Sequence, residues 1–215
     1  MSQKTSLPPT TDHPTAPHGN GRRSRREFLR SAALGAIAVA TVPLLRGHMA
    51  HAATTGGRSM LIVYFSHSGN TRRLAACIQR LTGGDMAQIT PLTPYPQDYD
   101  AVVELARQEQ RRNVRPPIAA MQPDPAAYDT LFLGYPNWWG TFPMPVATFL
   151  ENYPVGNKTL VPFCTHEGSR LGKSEQDLRR LCPQARLLKG FEVRGSRVDG
   201  TEPSVKAWLS ELGLI

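Results

Sequence analysis

From residue 60 onward the chain alternates short apolar runs with stretches in which apolar residues recur every three or four positions. Met60-Leu61-Ile62-Val63-Tyr64-Phe65 is apolar throughout, the pattern of a strand buried on both faces. Helical spacing follows over residues 70–81, with Leu74, Ala75, Ile78 and Leu81 on one face and Gly83-Gly84 to end it. A second strand is predicted over 86–89. Residues 91–128 form a longer connection, rich in proline at both ends, with a helix over 98–112. Thr130-Leu131-Phe132-Leu133-Gly134 reads as the third strand, followed by a helix over 145–153 with proline in its first turn, where it is tolerated. The fourth run is Thr159-Leu160-Val161-Pro162-Phe163-Cys164, in which Pro162 argues against a central strand. A helix over 174–181, a fifth strand around 186–193 and a last helix over 202–212 complete the pattern. Strands alternating with helices predict an α/β fold: a doubly wound, five-stranded parallel sheet with helices on both faces.

Ligands in such sheets lie beyond the carboxyl ends of the strands, where the strand order reverses. Attention therefore falls on the loops after the first, third and fourth strands. The first reads Ser66-His67-Ser68-Gly69-Asn70-Thr71 and opens a helix. Backbone N–H groups and hydroxyls converging at the positive end of a helix dipole suit a phosphate dianion. Neither of the common nucleotide loops, G-x-x-x-x-G-K-[ST] or G-x-G-x-x-G, is present in it. The second loop, Gly134-Tyr135-Pro136-Asn137-Trp138-Trp139-Gly140-Thr141, carries adjacent tryptophans. Neighbouring side chains in an extended loop point to different sides, so one can pack inward while the other offers a plate for a flat ring. Alternatively, both anchor the loop to the following helix. The third, Thr165-His166-Glu167-Gly168-Ser169-Arg170-Leu171-Gly172-Lys173-Ser174, has two glycines, two serines and a threonine, and so is flexible and rich in backbone donors, suited to the polar edge of a heteroaromatic ring. A phosphate cradle, an aromatic plate and an amide-rich loop at successive strand ends describe a site for flavin mononucleotide (FMN).

The N-terminus has a different character. Residues 1–21 are rich in Pro, Thr, Ser and His and lack apolar periodicity, a composition that does not build a core. Ser24-Arg25-Arg26-Glu27-Phe28-Leu29 then precedes an apolar stretch over 31–45, and Ala50-His51-Ala52 offers a cleavage point. Paired arginines followed by Phe-Leu resemble a twin-arginine export signal. The apolar stretch is shorter than a membrane span and contains Gly35, Thr41 and Pro43, so no stable span is expected in the mature form. Two segments follow: residues 1–52, a disordered N-terminus and signal peptide, and residues 53–215, one domain destined for the periplasm.

Of the formal charge of +8, the signal holds +5 and the mature part only +3. No basic stripe with interleaved aromatics occurs, so nucleic acid is not an expected partner. Cys77, Cys164 and Cys182 show no C-x-x-C and no metal-ligand spacing, and no metal is expected. A Cys164–Cys182 bridge after export is left open.

Tyr64-Phe65-Ser66-His67-Ser68-Gly69-Asn70-Thr71 resembles the phosphate loop of flavodoxins. The Trp138-Trp139 loop, together with Phe163-Cys164-Thr165-His166, resembles a bacterial flavodoxin-like subfamily with a Trp-Trp loop. The resemblance spans nearly all of residues 59–212. It implies strand order 2-1-3-4-5 with FMN at the switch point, flavodoxin itself being a standard example of that ligand rule. It also implies cofactor contacts from Ser66, His67, Ser68, Gly69, Asn70 and Thr71 to the phosphate. Pro136, Asn137, Trp138, Trp139 and Gly140 would flank the ring on one side, and Thr165, His166, Glu167, Gly168 and Ser169 on the other. Glu167 and Arg170 depart from the small residues common in that third loop. An acid–base role for His166 is weighed against an ordinary loop histidine, and the latter is preferred. The implied activity is redox through bound FMN. It serves either an exported electron carrier with a redox partner protein or an NAD(P)H-dependent reductase of a small quinone-like or flavin acceptor.

Overall fold

The computed structural model describes residues 59–215; the export signal and the boundary after Ala52 fall outside the described residues. In chain order the elements are β1 Met60–Tyr64, α1 Asn70–Thr82, β2 Asp85–Gln88, α2 Tyr99–Arg112, β3 Thr130–Pro136, α3 Met144–Asn152, β4 Thr159–His166, α4 Ser174–Leu181, β5 Arg186–Leu187, β6 Phe191–Arg194 and α5 Glu202–Glu211. Every strand pairing is parallel, and the order is β2-β1-β3-β4-β5, with β6 also on β4.

Alternation along the strands divides the core in two. Leu61, Val63, Leu131, Leu133, Tyr135 and Leu160 face one layer, packed with Val102 of α2, Phe149 of α3 and Leu178 of α4. Ile62, Tyr64, Phe132, Val161 and Phe163 face the other, against Leu74 and Ile78 of α1 and Trp208 and Leu209 of α5. A central strand covered on both faces has no polar side to show, which is why these runs read as continuously apolar.

The fifth strand departs from the single run over 186–193. The chain leaves the ladder after Leu188, at residues 189–190, and rejoins it as β6, so the sheet has six strands. Side chains satisfy the backbone at the break: Trp208 Nε1–H donates to the Lys189 carbonyl at 3.0 Å, and Gly190 N–H donates to Glu175 Oε1 at 3.0 Å. Pro162 also finds its place here. It lies in a strand with neighbours on both sides, contrary to the reading of proline as an edge marker. However, β5 pairs with Thr159 and Leu160, and β6 pairs with Phe163–His166. The Leu160 carbonyl accepts from Leu188 N–H at 2.9 Å, so the position two residues on faces the same side. Pro162 thus lies at the gap between the two short strands, where its missing N–H leaves no ladder bond unmade.

All three cysteines are free and buried. Burial raises each thiol pKa, that of Cys182 to about 11. The possible Cys164–Cys182 bridge is not formed.

Gly134 permits the tightest approach in the sheet. A Cβ placed there would lie 2.1 Å from Cζ of Phe163, whose ring is fully buried on the neighbouring strand. Gly134→Ala is therefore expected to destabilise the fold by roughly 1–3 kcal/mol through overpacking. A lowered urea midpoint at unchanged m-value checks it.

Candidate functional site

Parallel pairing brings the ends of β1, β3 and β4 to one edge of the sheet, and the loops that follow them converge. They enclose a cavity of about 660 Å³, within the usual range for small-molecule sites. Of the residues singled out in the sequence, His67, Ser68, Asn70, Pro136, Asn137, Trp138, Trp139, Thr165, His166, Glu167, Gly168 and Ser169 line it.

The remaining four shape the loops from behind. Gly69 caps α1 with φ +90°, a left-handed conformation that glycine adopts without strain. Ser66 Oγ accepts the Arg72 N–H at 3.2 Å and ties the turn to the helix. Thr71 differs from the expectation that its hydroxyl joins the convergent donors. It is buried, and its Oγ1 lies 2.8 Å from Thr165 Oγ1, fastening the first loop to the third. Gly140 shapes the tryptophan loop, as described below. Among the described residues, the backbone N–H groups of His67, Ser68, Gly69, Asn70 and Thr71 donate to no protein acceptor. Five such donors at a helix N-terminus form a cradle for an anion.

The tryptophans divide their work. Trp138 turns inward, its ring edge-on to Phe65, His67 and Tyr95 at centroid distances of 5.5, 5.8 and 5.1 Å. Trp139 is 47% exposed. It and Gly140 have φ of +54° and +84°, and Trp138 and Thr141 exchange backbone hydrogen bonds across them. That is a type I′ turn, which demands left-handed geometry at both central positions. A tryptophan there is strained, and strain of this kind concentrates at functional sites. It is held in place by α2: Trp139 Nε1–H donates to the Val103 carbonyl at 3.0 Å, and the Arg107 guanidinium lies 5.2 Å from the ring centroid.

The second and third loops are interlocked. Asn137 Nδ2–H donates to the Arg170 carbonyl at 2.8 Å, and its Oδ1 accepts the Gly140 N–H at 2.9 Å. Asn137 N–H donates to the Thr165 carbonyl and Lys173 N–H to the Gly140 carbonyl, each at 2.8 Å. Beneath them Tyr135 donates its phenolic O–H to Ser174 Oγ at 2.9 Å, and Thr141 donates its hydroxyl to Asp177 Oδ2 at 2.7 Å. At the end of β4, His166 Nδ1 accepts the Gly168 N–H at 3.0 Å while Nε2 meets the Glu192 carboxylate. Arg170 Nη1 lies 3.7 Å from the same carboxylate.

The connection over 91–128 supplies a wall that the sequence did not assign. Tyr99, Val102, Val103 and Ala106 of α2 line the cavity. Their spacing of three, four and seven places them on one helical face, a signal readable as amphipathic but not as a ligand wall. Tyr95, ahead of α2, donates its hydroxyl to the Glu109 carboxylate and so fixes the helix against the aromatic cluster. Burial raises the pKa of both groups. The cavity accordingly has an anion cradle at one end, a polar wall from the third loop and an apolar wall from α2 and Trp139. It suits a flat, partly apolar molecule carrying a phosphate.

A family model described as flavodoxin matches residues 59–212. Among solved structures, the chain is similar to a candidate flavoprotein from Bacteroides eggerthii, with 30% identity, coverage of 73% of this chain and 99% of that one, and a TM-score of 0.66. A second from Bacteroides uniformis shows 27% identity, coverage of 72% and 99%, and a TM-score of 0.62. A flavoprotein from Lactobacillus acidophilus, solved in complex with FMN, shares the fold at 21% identity, with coverage of 67% and 98% and a TM-score of 0.53. No functionally curated protein is similar enough to match. The shared sheet order and the span of the family match lead to one conclusion: the chain belongs to the flavodoxin family.

Proposed function

We propose that this protein binds FMN and works as an exported electron carrier. The observation that carries the reading is the juxtaposition, in one cavity, of five uncommitted amides at the start of α1 with the Trp139 plate and the amide-rich third loop. The FMN complex of the Lactobacillus relative and family membership support the choice of cofactor.

In this reading the amides of residues 67–71 and the hydroxyl of Ser68 hold the phosphate, assisted by the dipole of α1. Backbone carries that role more than side chains, so His67 contributes its N–H while its ring packs on Trp138. Pro136 and Asn137 bound the ring on one side and Thr165 to Ser169 on the other, with Trp139 and the α2 face covering its apolar edge. Bound flavin supplies one- and two-electron redox chemistry; the protein positions it and adjusts its potential. Glu167 opposes negative charge in the cavity, whereas Arg170 has its charge shared with Glu192.

The partner is a redox protein. No helix among the described residues is long and apolar enough to cross a membrane. Arg25-Arg26 with the following apolar stretch supports twin-arginine export to the periplasm, a route suited to a protein folded around its cofactor. Where nicotinamide is scarce, a carrier is favoured over a reductase. The apolar wall of Tyr99, Val102, Val103 and Ala106 is the one observation that favours the second reading, an NAD(P)H-dependent reductase of a quinone-like or flavin acceptor. Rapid NADH oxidation by a quinone would select the reductase; reduction only through a partner reductase selects the carrier.

The purified domain, residues 53–215, is expected to show the two visible bands of oxidised flavin, bleached by dithionite, and to release FMN on denaturation. A colourless protein that takes up no added FMN overturns the assignment. Trp139→Gly should leave stability within about 1 kcal/mol, because relief of left-handed strain offsets the lost Arg107 contact and the lost hydrogen bond to the Val103 carbonyl. The same change should weaken FMN binding several-fold. Trp138→Ala should instead lower stability by roughly 2–4 kcal/mol through loss of packing. Denaturant melts and flavin fluorescence titrations separate the two. Replacing Arg25 and Arg26 together by lysine should retain the precursor in the cytoplasm, as read by cell fractionation.

A further inference from the structure

We propose that His166 is a positioning residue whose neutral form latches the third loop, so that a second proton on its ring releases the Gly168 peptide and opens that wall of the cavity. The latch is a property of the polypeptide alone; its effect on cofactor affinity rests on the FMN reading above.

The geometry fixes where the ring proton resides. Gly168 N–H donates to Nδ1 at 3.0 Å, so Nδ1 is a lone-pair acceptor. The proton therefore sits on Nε2, directed at the Glu192 carboxylate of β6. The His166 side chain is only 7% exposed and Glu192 29%, so their contact is sheltered from competing water, whereas the Gly168 N–H bond lies at the exposed edge of the loop. Within the loop, Thr165 is pinned by Thr71, Arg170 by Asn137 and Ser169 by the Gly172 N–H that its carbonyl accepts at 3.1 Å, so His166 ties the short Glu167-Gly168 stretch between them.

Adding a proton puts an N–H on Nδ1, facing the Gly168 N–H. Two donors cannot share that contact, and one must leave. The Nε2–Glu192 contact becomes a full ion pair on protonation, so the ring stays and the glycine peptide departs. The surrounding charges act in opposite directions. Glu192 favours the cation. Arg170, 3.7 Å from Glu192, takes part of its charge, and the Arg194 guanidinium reaches close to Gly168. Glu167 is directed toward Gly195, on the side of α1. From α1 the groups nearest the loop, Asn70 and Thr71, do not titrate; Cys164, behind on β4, is held as the thiol by burial and by Glu192.

The sign follows directly. A ligand that needs the latched wall binds the neutral-histidine form, so its affinity falls when the ring takes up its second proton, and its binding in turn holds His166 unprotonated.

The test is a pH titration of the ¹⁵N-labelled protein by NMR, without and with FMN. Above the titration, the His166 ring is expected as the Nε2–H tautomer, and the Gly168 amide should be protected from exchange. Its shift and protection should then be lost with the same midpoint as the ring. An Nδ1–H tautomer, or a Gly168 amide indifferent to that midpoint, overturns the latch. FMN affinity should weaken about five- to tenfold across the transition, the scale of one hydrogen bond. His166→Asn keeps an acceptor near the Nδ1 position but does not titrate, and should bind FMN with no such pH dependence. His166→Gln keeps the contact toward Glu192 but loses the acceptor for Gly168, and should bind weakly at every pH. Equal pH dependence in the wild type and His166→Asn would refute the coupling. Failure to bind FMN at any pH would strike the cofactor reading alone, because the amide titration decides the latch without flavin.

Discussion

The carboxamide of Asn137 is the constraint on which the site depends. It holds the Gly140 N–H with its oxygen and the Arg170 carbonyl with its nitrogen, while its own backbone N–H reaches the Thr165 carbonyl. One residue thus joins three points on two loops and sets the width of the slot between them. A longer amide would push the loops apart, and a carboxylate would face a carbonyl oxygen it cannot bond. Everything that has to be flat or narrow in the cavity inherits its dimension from this side chain.

Around that constraint, labour is divided by physical type. The cradle at the start of α1 is made of backbone amides and needs little of the side chains beyond the freedom of Gly69. Shape belongs to aromatic packing, with Trp138 wedged among Phe65, His67 and Tyr95 beneath the first loop. The apolar face is provided by α2, itself braced by the Tyr95–Glu109 contact and by the indole of Trp139. A strained residue at the centre of a hairpin turn is stable only because the neighbouring helix over-determines its position.

The layered core and the three converging loops were legible because each rests on local signals: continuous apolar runs, a glycine-bearing turn before a helix, proline at a helix start. What escaped was set by distance along the chain. Thr71 looks like one more hydroxyl in a cradle until Thr165, far away in sequence, claims it. The face of α2 is amphipathic in sequence, but only packing tells which part of that face meets the core and which meets the cavity. The division of the last strand is written in Trp208 and Glu175, whose side chains take over backbone groups at residues 189 and 190. Pro162 argued against a central position on sound grounds; the sheet accommodates it by interrupting its neighbour instead. The two tryptophans were separable in principle by their adjacency, but which of them faces inward depended on the hand of the turn.

That interruption bears on how the molecule behaves in a crowded solution. A parallel sheet ends in two rows of unpaired backbone groups, each a template on which another chain can add a strand. Here one border is β2, four residues long, and the other is broken into a two-residue piece and a four-residue piece that do not form a continuous rail. The kink at Lys189-Gly190 spends backbone donors and acceptors on the protein's own side chains just where a visiting strand would seek its register. Resistance to edge-to-edge aggregation is thereby built into the same irregularity that makes room for a proline in the middle of the sheet.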